Sequence, residues 1–204
     1  MSRMLGNRIT LIGYVRQNAT KAAAIKWPYR LVCAIVVAGA TFCSGQLAEA
    51  GSATWNAQAG NWNVNTNWLP NTTHPQAADE IASLTNNITG NRIVTLNAAK
   101  TIGTLNIGDS NFSHSFTLSG TNTLTFDVSA GTAAINKAVG SGVIDTISVP
   151  ILLSDNLIVT SDSTSSNGRI VLSSSISGVG QSLTKEGVGR LELTGQSTFT
   201  GRVQ

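Results

Sequence analysis

From Arg92 onward the chain repeats one pattern: about four residues in which apolar and polar side chains alternate, then a break at glycine or asparagine, roughly every ten residues. Arg92-Ile93-Val94-Thr95-Leu96, Thr104-Leu105-Asn106-Ile107, Ser115-Phe116-Thr117-Leu118 and Thr123-Leu124-Thr125-Phe126 all follow it. So do Thr146-Ile147-Ser148-Val149, Asn156-Leu157-Ile158-Val159, Arg169-Ile170-Val171-Leu172 and Arg190-Leu191-Glu192-Leu193. Successive side chains of a strand point to opposite faces, so a period of two means a strand with one face in a core. Thr, Val and Ile suit a pleated surface. No apolar stripe at helical spacing persists beyond two turns. The pattern predicts an all-β chain.

Short strands at this spacing fit a sandwich, a barrel or a β-solenoid. Internal similarity favours the solenoid. Ile170-Val171-Leu172-Ser173-Ser174 matches Leu191-Glu192-Leu193-Thr194-Gly195 at an offset of 21 residues, and Phe116-Thr117-Leu118-Ser119-Gly120 matches the same stretch. A repeat of that length suits one coil of a stacked β architecture, in which each coil buries its apolar side only against its neighbours. Residues 91–204 are expected to form such a stack, a parallel β-helix, behind a Trp- and Asn-rich capping segment at 51–90.

The first fifty residues are of another kind. They carry six basic residues and one acid, a net +5, whereas residues 51–204 carry seven basic and nine acidic residues, a net −2. The basic balance of the whole chain therefore belongs to its beginning, and a basic nucleic-acid-binding face is excluded for the rest. Leu31 to Phe42 is an uncharged, mostly apolar run of twelve residues. A bilayer-spanning helix needs about 20 apolar residues, whereas the apolar region of a secretory signal runs about 7–15. Ala48-Glu49-Ala50 then places small residues where a signal peptidase reads them, so residues 1–50 are expected to be a signal peptide cut between Ala50 and Gly51. The alternative is an uncleaved membrane anchor. Export outside the cell or to its surface follows, with membrane contact only through the signal during export. Both Cys residues precede residue 51, so the 154 residues beyond the cut carry no disulfide. Stability there must come from packing and backbone hydrogen bonds.

The stretch ISGVGQSLTKEGVGRLELTGQSTFTG, residues 176–201, resembles the autotransporter-associated β-strand repeat, which reads approximately I-S-G-x-G-x-L-T-K-x-G-x-G-x-L-x-L-x-G-x-N-T-Y-T-G. Ser197 replaces Asn, Phe199 replaces Tyr, and one extra residue precedes Leu183. The Trp-rich segment and the strands upstream are similar to large exported proteins of planctomycetes and related bacteria that carry this repeat. The resemblance implies a right-handed parallel β-helix in a passenger-type extracellular protein. It implies no shared catalytic activity. In physical terms, Gly187 and Gly189 bracket a turn where φ > 0 or close coil approach is needed. Leu183, Leu191 and Leu193 are expected to point inward, with Lys185 and Glu186 solvated at the turn.

Candidate sites are few. Trp55, Trp62 and Trp68 lie among five asparagines. Exposed, they would stack sugar rings beside amides that bond sugar hydroxyls, as a carbohydrate-binding module does. Buried, they would cover the open end of the first coil. His74 and His114 are forty residues apart without ligands at metal spacing, and His74 reads as part of a surface loop with Asp79 and Glu80. Asp109, Asp127, Asp145, Asp155 and Asp162 stand singly at turns and strand ends, where an Asp usually caps its own backbone. The acids lack the clustering that proton transfer on polysaccharides requires, and no Gly-x-Ser-x-Gly elbow occurs. The expectation is a structural or adhesive protein that is not an enzyme, with neither cofactor nor metal. Its partners would be cell-surface glycans or its own chain. The latter would come from end-to-end association through residues 183–204, where no charged or proline-rich segment follows to blunt the last strand.

Overall fold

The computed structural model describes residues 51–204, apart from 138–141 and 166. Each coil is built from three short strands separated by turns. The first holds β1 (Ala53–Trp55), β2 (Gly60–Asn61) and β3 (Trp68–Leu69). The second holds β4 (Ile81–Leu84), β5 (Arg92–Thr95) and β6 (Lys100–Ile102), and the third β7 (Thr104–Ile107), β8 (Phe116–Ser119) and β9 (Leu124–Phe126). Then come β10 (Ala133–Lys137), β11 (Ile144–Ile147) and β12 (Ile151–Leu153), followed by β13 (Leu157–Ser161), β14 (Arg169–Leu172) and β15 (Ile176–Ser177). The last strands are β16 (Leu183–Glu186) and β17 (Arg190–Leu193).

These strands stack into three parallel sheets. One runs β16-β13-β10-β7-β4-β1, a second β17-β14-β11-β8-β5-β2, and a third β15-β12-β9-β6. The architecture is a β-solenoid of about five coils, a parallel β-helix as the alternation predicts. Strand pairing reaches back into the Trp-rich segment, because β4 pairs in parallel with both β1 and β7. The departure from parallel order is β3, which turns back antiparallel over β1 and sets Trp68 opposite Trp55. Two residues long and followed by Pro70, β3 is a poor template for a further strand.

Inside the tube, equivalent residues of successive coils form columns. Ala82, Leu105, Ile135 and Val159 stand in one column of the first sheet, and Val94, Leu118, Ile147 and Leu172 in one of the second. Ile102, Phe126 and Leu153 line the third, and all eleven side chains are buried. Burying each large aliphatic is worth about 1.5–3 kcal/mol, and with no Cys after residue 50 to form a disulfide these columns are the main support of the stack.

Ile170 pairs with Leu191, the offset of 21 residues seen in the sequence. Other rungs are longer, 30 residues from Leu105 to Ile135 and 34 from Gly60 to Val94. The register of the interior is kept while the turns vary. At the repeat turn, Gly187 has φ +76° and a Cβ there would lie 2.5 Å from the Ser161 carbonyl oxygen of the coil below. Gly189 donates its N–H to that same oxygen at 2.6 Å. Close coil approach therefore accounts for both glycines. Lys185 and Glu186 are not at the turn. They belong to β16, and Lys185 continues the inward column after Val159. Leu183 is buried beneath Val203, while Leu193 and Val203 remain 37% and 62% exposed at the end of the stack.

Candidate functional site

A group of bonded polar side chains lies beside the first two coils, in the loop from Asn65 to Glu80 and its contacts. Glu80 is only 5% exposed. Its Oε2 accepts the N–H groups of Gln76 at 2.6 Å and Ala77 at 3.1 Å, so the carboxylate organises its own loop. Its Oε1 accepts the N–H of Gly51 at 2.5 Å. Lys100 opens β6 at an inward position beside Leu124, and its part-buried ammonium reaches His74 Nε2 at 3.0 Å and Gln76 Oε1 at 3.4 Å. His74 Nδ1 lies 2.6 Å from Asn65 Oδ1. The donors fix the tautomer: Nδ1–H donates to Asn65, and Nε2 accepts from Lys100. Burial lowers the His74 pKa, reinforced by the Lys100 charge, so the ring is neutral at pH 7. Burial also lowers the Lys100 pKa, against the pull of Glu80. His74 lies in a loop, as expected from sequence, and its partners lie nine and twenty-six residues away.

The three tryptophans support this loop from within. All are fully buried. Trp55 and Trp62 each meet Trp68 edge to face, with centroids 5.0 and 4.7 Å apart. Trp62 Nε1 donates to the Pro75 carbonyl at 2.7 Å and Trp68 Nε1 to the Trp62 carbonyl at 2.8 Å. Of the two readings open in the sequence, sugar platform or buried cover, the rings take the buried one, and the faces a sugar would need are occupied by protein. Their burial follows from β3, which folds Trp68 down onto Trp55.

A second group sits deeper in the stack. Lys137 ends β10 at an inward position between Ile107 and Ser161, and its ammonium pairs with Asp145 of β11, both side chains sealed from solvent. Asp145 also accepts the Phe116 N–H at 2.8 Å. Burial pushes the Asp145 carboxyl up, opposed by Lys137. The reading of Asp145 as an acid at a turn or strand end that caps its own backbone is corrected: it lies within β11 in a core column and accepts from Phe116 of the neighbouring coil. Asp109 is fully buried and accepts N–H groups from Ile88 of the neighbouring coil at 3.1 Å and from Ser113 and His114 in its own turn. Burial alone would raise its pKa, but these bonds hold it below the usual carboxylate range. Asp155 likewise spans coils, accepting the Val128 N–H at 2.9 Å.

Among the described residues, no group of three or more His, Cys, Asp or Glu is placed to hold a metal ion, and no helix is long and apolar enough to cross a membrane. The junction Ala50–Gly51 is described only on its Gly51 side; Ala50 and the apolar run at 31–42 lie outside the described residues. Comparison with protein-family models, curated proteins and solved structures finds no match to this chain.

Sequence reasoning missed the loop cluster and the Lys137–Asp145 pair. For Lys137 a signal existed: it shares parity with Ala133 and Ile135, so the alternation that marks them as inward marks it too. Gly51, Glu80 and Lys100 had none, because only the coil register brings residues 29 and 26 apart together.

Proposed function

We propose that the chain is an exported, non-catalytic β-solenoid that serves as a structural or adhesive segment at the cell surface or outside the cell. One observation carries the reading most: the buried ionisable groups are spent on the stack itself. Glu80, Asp109 and Asp145 each accept backbone N–H groups, and the Lys100 and Lys137 ammoniums are engaged by neighbouring side chains. What remains outside is a face of small polar residues, joined across coils as Ser83, Asn106 and Asn136 are by side-chain bonds of 3.0 Å. Such a face suits a rigid spacer with a weakly charged, hydrated exterior. The apolar run at 31–42 and the resemblance of residues 176–201 to the autotransporter-associated repeat support export and display.

The test is fractionation of a bacterial host expressing the full chain with a C-terminal epitope, together with protease treatment of intact cells. Recovery outside the cytoplasm, protease-accessible and without hydrolytic activity on uronic-acid polymers, is the expected outcome. Retention in the cytoplasm, or new reducing ends on incubation with those polymers, defeats the proposal.

A further inference from the structure

Glu80 is a buried carboxylate without a countercharge in contact. Its three bonded partners are the neutral N–H groups of Gly51, Gln76 and Ala77, and among the described residues no cationic side chain forms an ion pair with it. Lys100 acts on it only at a distance, its ammonium being engaged by His74 and Gln76. Asp79 faces elsewhere, accepting the Ser129 N–H at 2.8 Å. Neutral donors hold a buried carboxylate, as they do Asp109, and an ammonium within hydrogen-bond reach holds it more strongly.

The group nearest Oε1 is the backbone nitrogen of Gly51, itself buried. A Cβ at this position would stand 3.0 and 3.2 Å from the two Glu80 oxygens and 3.1 Å from Thr73 Oγ1, so the site accepts a residue without a side chain. We infer that Gly51 is the amino terminus of the mature protein and that Glu80 is its receptor, the freed α-ammonium replacing the peptide N–H and forming a buried ion pair with Oε1. Hydrolysis of the Ala50–Gly51 bond takes up one water, leaves the carboxyl on Ala50 and gives Gly51 an amine that is protonated at neutral pH. Removal of the leader would then lock the first coil to the loop that covers it. The inference rests on the export reading above.

The sign of the effect is fixed by the pair. An amine that gains an anionic partner on folding has its pKa raised above the free value of about 7.7–8.0. Its contribution is therefore fully present below about pH 8 and is lost as pH climbs through the folded value.

The experiment takes the full chain through an exporting bacterial host and reads the amino terminus of the exported product by mass spectrometry, Gly51 being expected. That product is compared with a portion acetylated at its α-amine while unfolded, then refolded. Acetylation restores the neutral N–H of the uncut chain, so steric fit is kept. At pH 7 the free amine should fold with an equilibrium constant about tenfold or more above the acetylated form, one pKa unit or more of coupling. The gap should close as pH is raised, and should vanish at every pH in Glu80→Gln. If that variant fails to fold, the comparison of free and acetylated wild type decides alone. Export with a different amino terminus, or equal stability of the two forms, overturns this inference and leaves the export reading standing. Retention in the cytoplasm defeats both.

Discussion

The Lys137 ammonium and the Asp145 carboxylate meet inside the tube, eight residues apart in one coil and both closed off from water. A pair so placed gains strength from its dry surroundings, and taking away one charge costs the other its countercharge. Asp145→Asn keeps an oxygen for the Phe116 N–H but strips Lys137 of its anion. It should destabilise the fold by about 3–5 kcal/mol, whereas Lys137→Met combined with Asp145→Leu should recover much of that loss. Urea denaturation of the three proteins checks this, and equal stability of Asp145→Asn and wild type would show that the pair carries no such dependence.

His74 and Asp109 predict two separate acid steps. Burial lowers the His74 pKa, so below about 6.5 the unfolded chain takes up a proton that the folded chain refuses. Stability should fall as pH drops from there toward the folded value, where Nε2 would have to turn a proton toward Lys100. The Asp109 pKa is also lowered, so its contribution is present above about 3.9 and is lost as pH falls through the folded value. Thermal melts from pH 7.5 to 3 should show both declines. His74→Gln should flatten the first and Asp109→Asn the second.

The indoles differ in what they lose. Trp62 and Trp68 both donate hydrogen bonds, while Trp55 Nε1 is buried without an acceptor. Trp62→Phe leaves the Pro75 carbonyl unpaired and should cost about 1–3 kcal/mol more than Trp55→Phe, which removes an unsatisfied donor. Trp68→Ala, at the centre of the cluster, should cost about 3–5 kcal/mol. In a Trp27→Phe background, emission should be blue-shifted, poorly quenched by acrylamide and unmoved by polysaccharides. A sugar-dependent change in that emission would restore the carbohydrate-binding reading.

At the far end, Lys185 places a charge in the column that Val159 continues from below, and its ammonium bonds the carbonyls of Glu186 and Gly187. The Lys185 N–H donates to the Gln204 carbonyl at 2.9 Å, so residues 202–204 lie over β16, and an inward charge one rung beneath the end discourages the addition of another strand. Lys185→Leu should therefore increase end-to-end association, while Leu193→Lys should decrease it, both read by sedimentation velocity over a range of concentrations. An unchanged sedimentation profile in both variants would show that this end takes no part in association.

Much of the fold was legible because alternation and turns are local. Thr104 to Ile107, Leu124 to Phe126 and Arg169 to Leu172 are strands as read, and the pairing of Ile170 with Leu191 was visible as self-similarity. The Trp segment was harder, since β1, β2 and β3 are two or three residues long and carry no alternation to count. Charged residues misled most. Asp145 shares parity with Ile147, so its inward position was encoded, but a lone Asp reads as a cap of its own backbone and only a partner eight residues back reverses that argument.

The unequal lengths of the coils bear on how such a chain can change over time. Ile170 and Leu191 close a rung over 21 residues and Leu105 and Ile135 over 30, yet each joins equivalent positions of neighbouring coils. Extra residues are taken up at the corners, and some of these are tied inward, as Asp109 is to the Ile88 N–H of the neighbouring coil. Natural variation, grafted peptides or acquired binding loops could enter one at a time at corners without such a tie, leaving the columns of the neighbouring rungs in register.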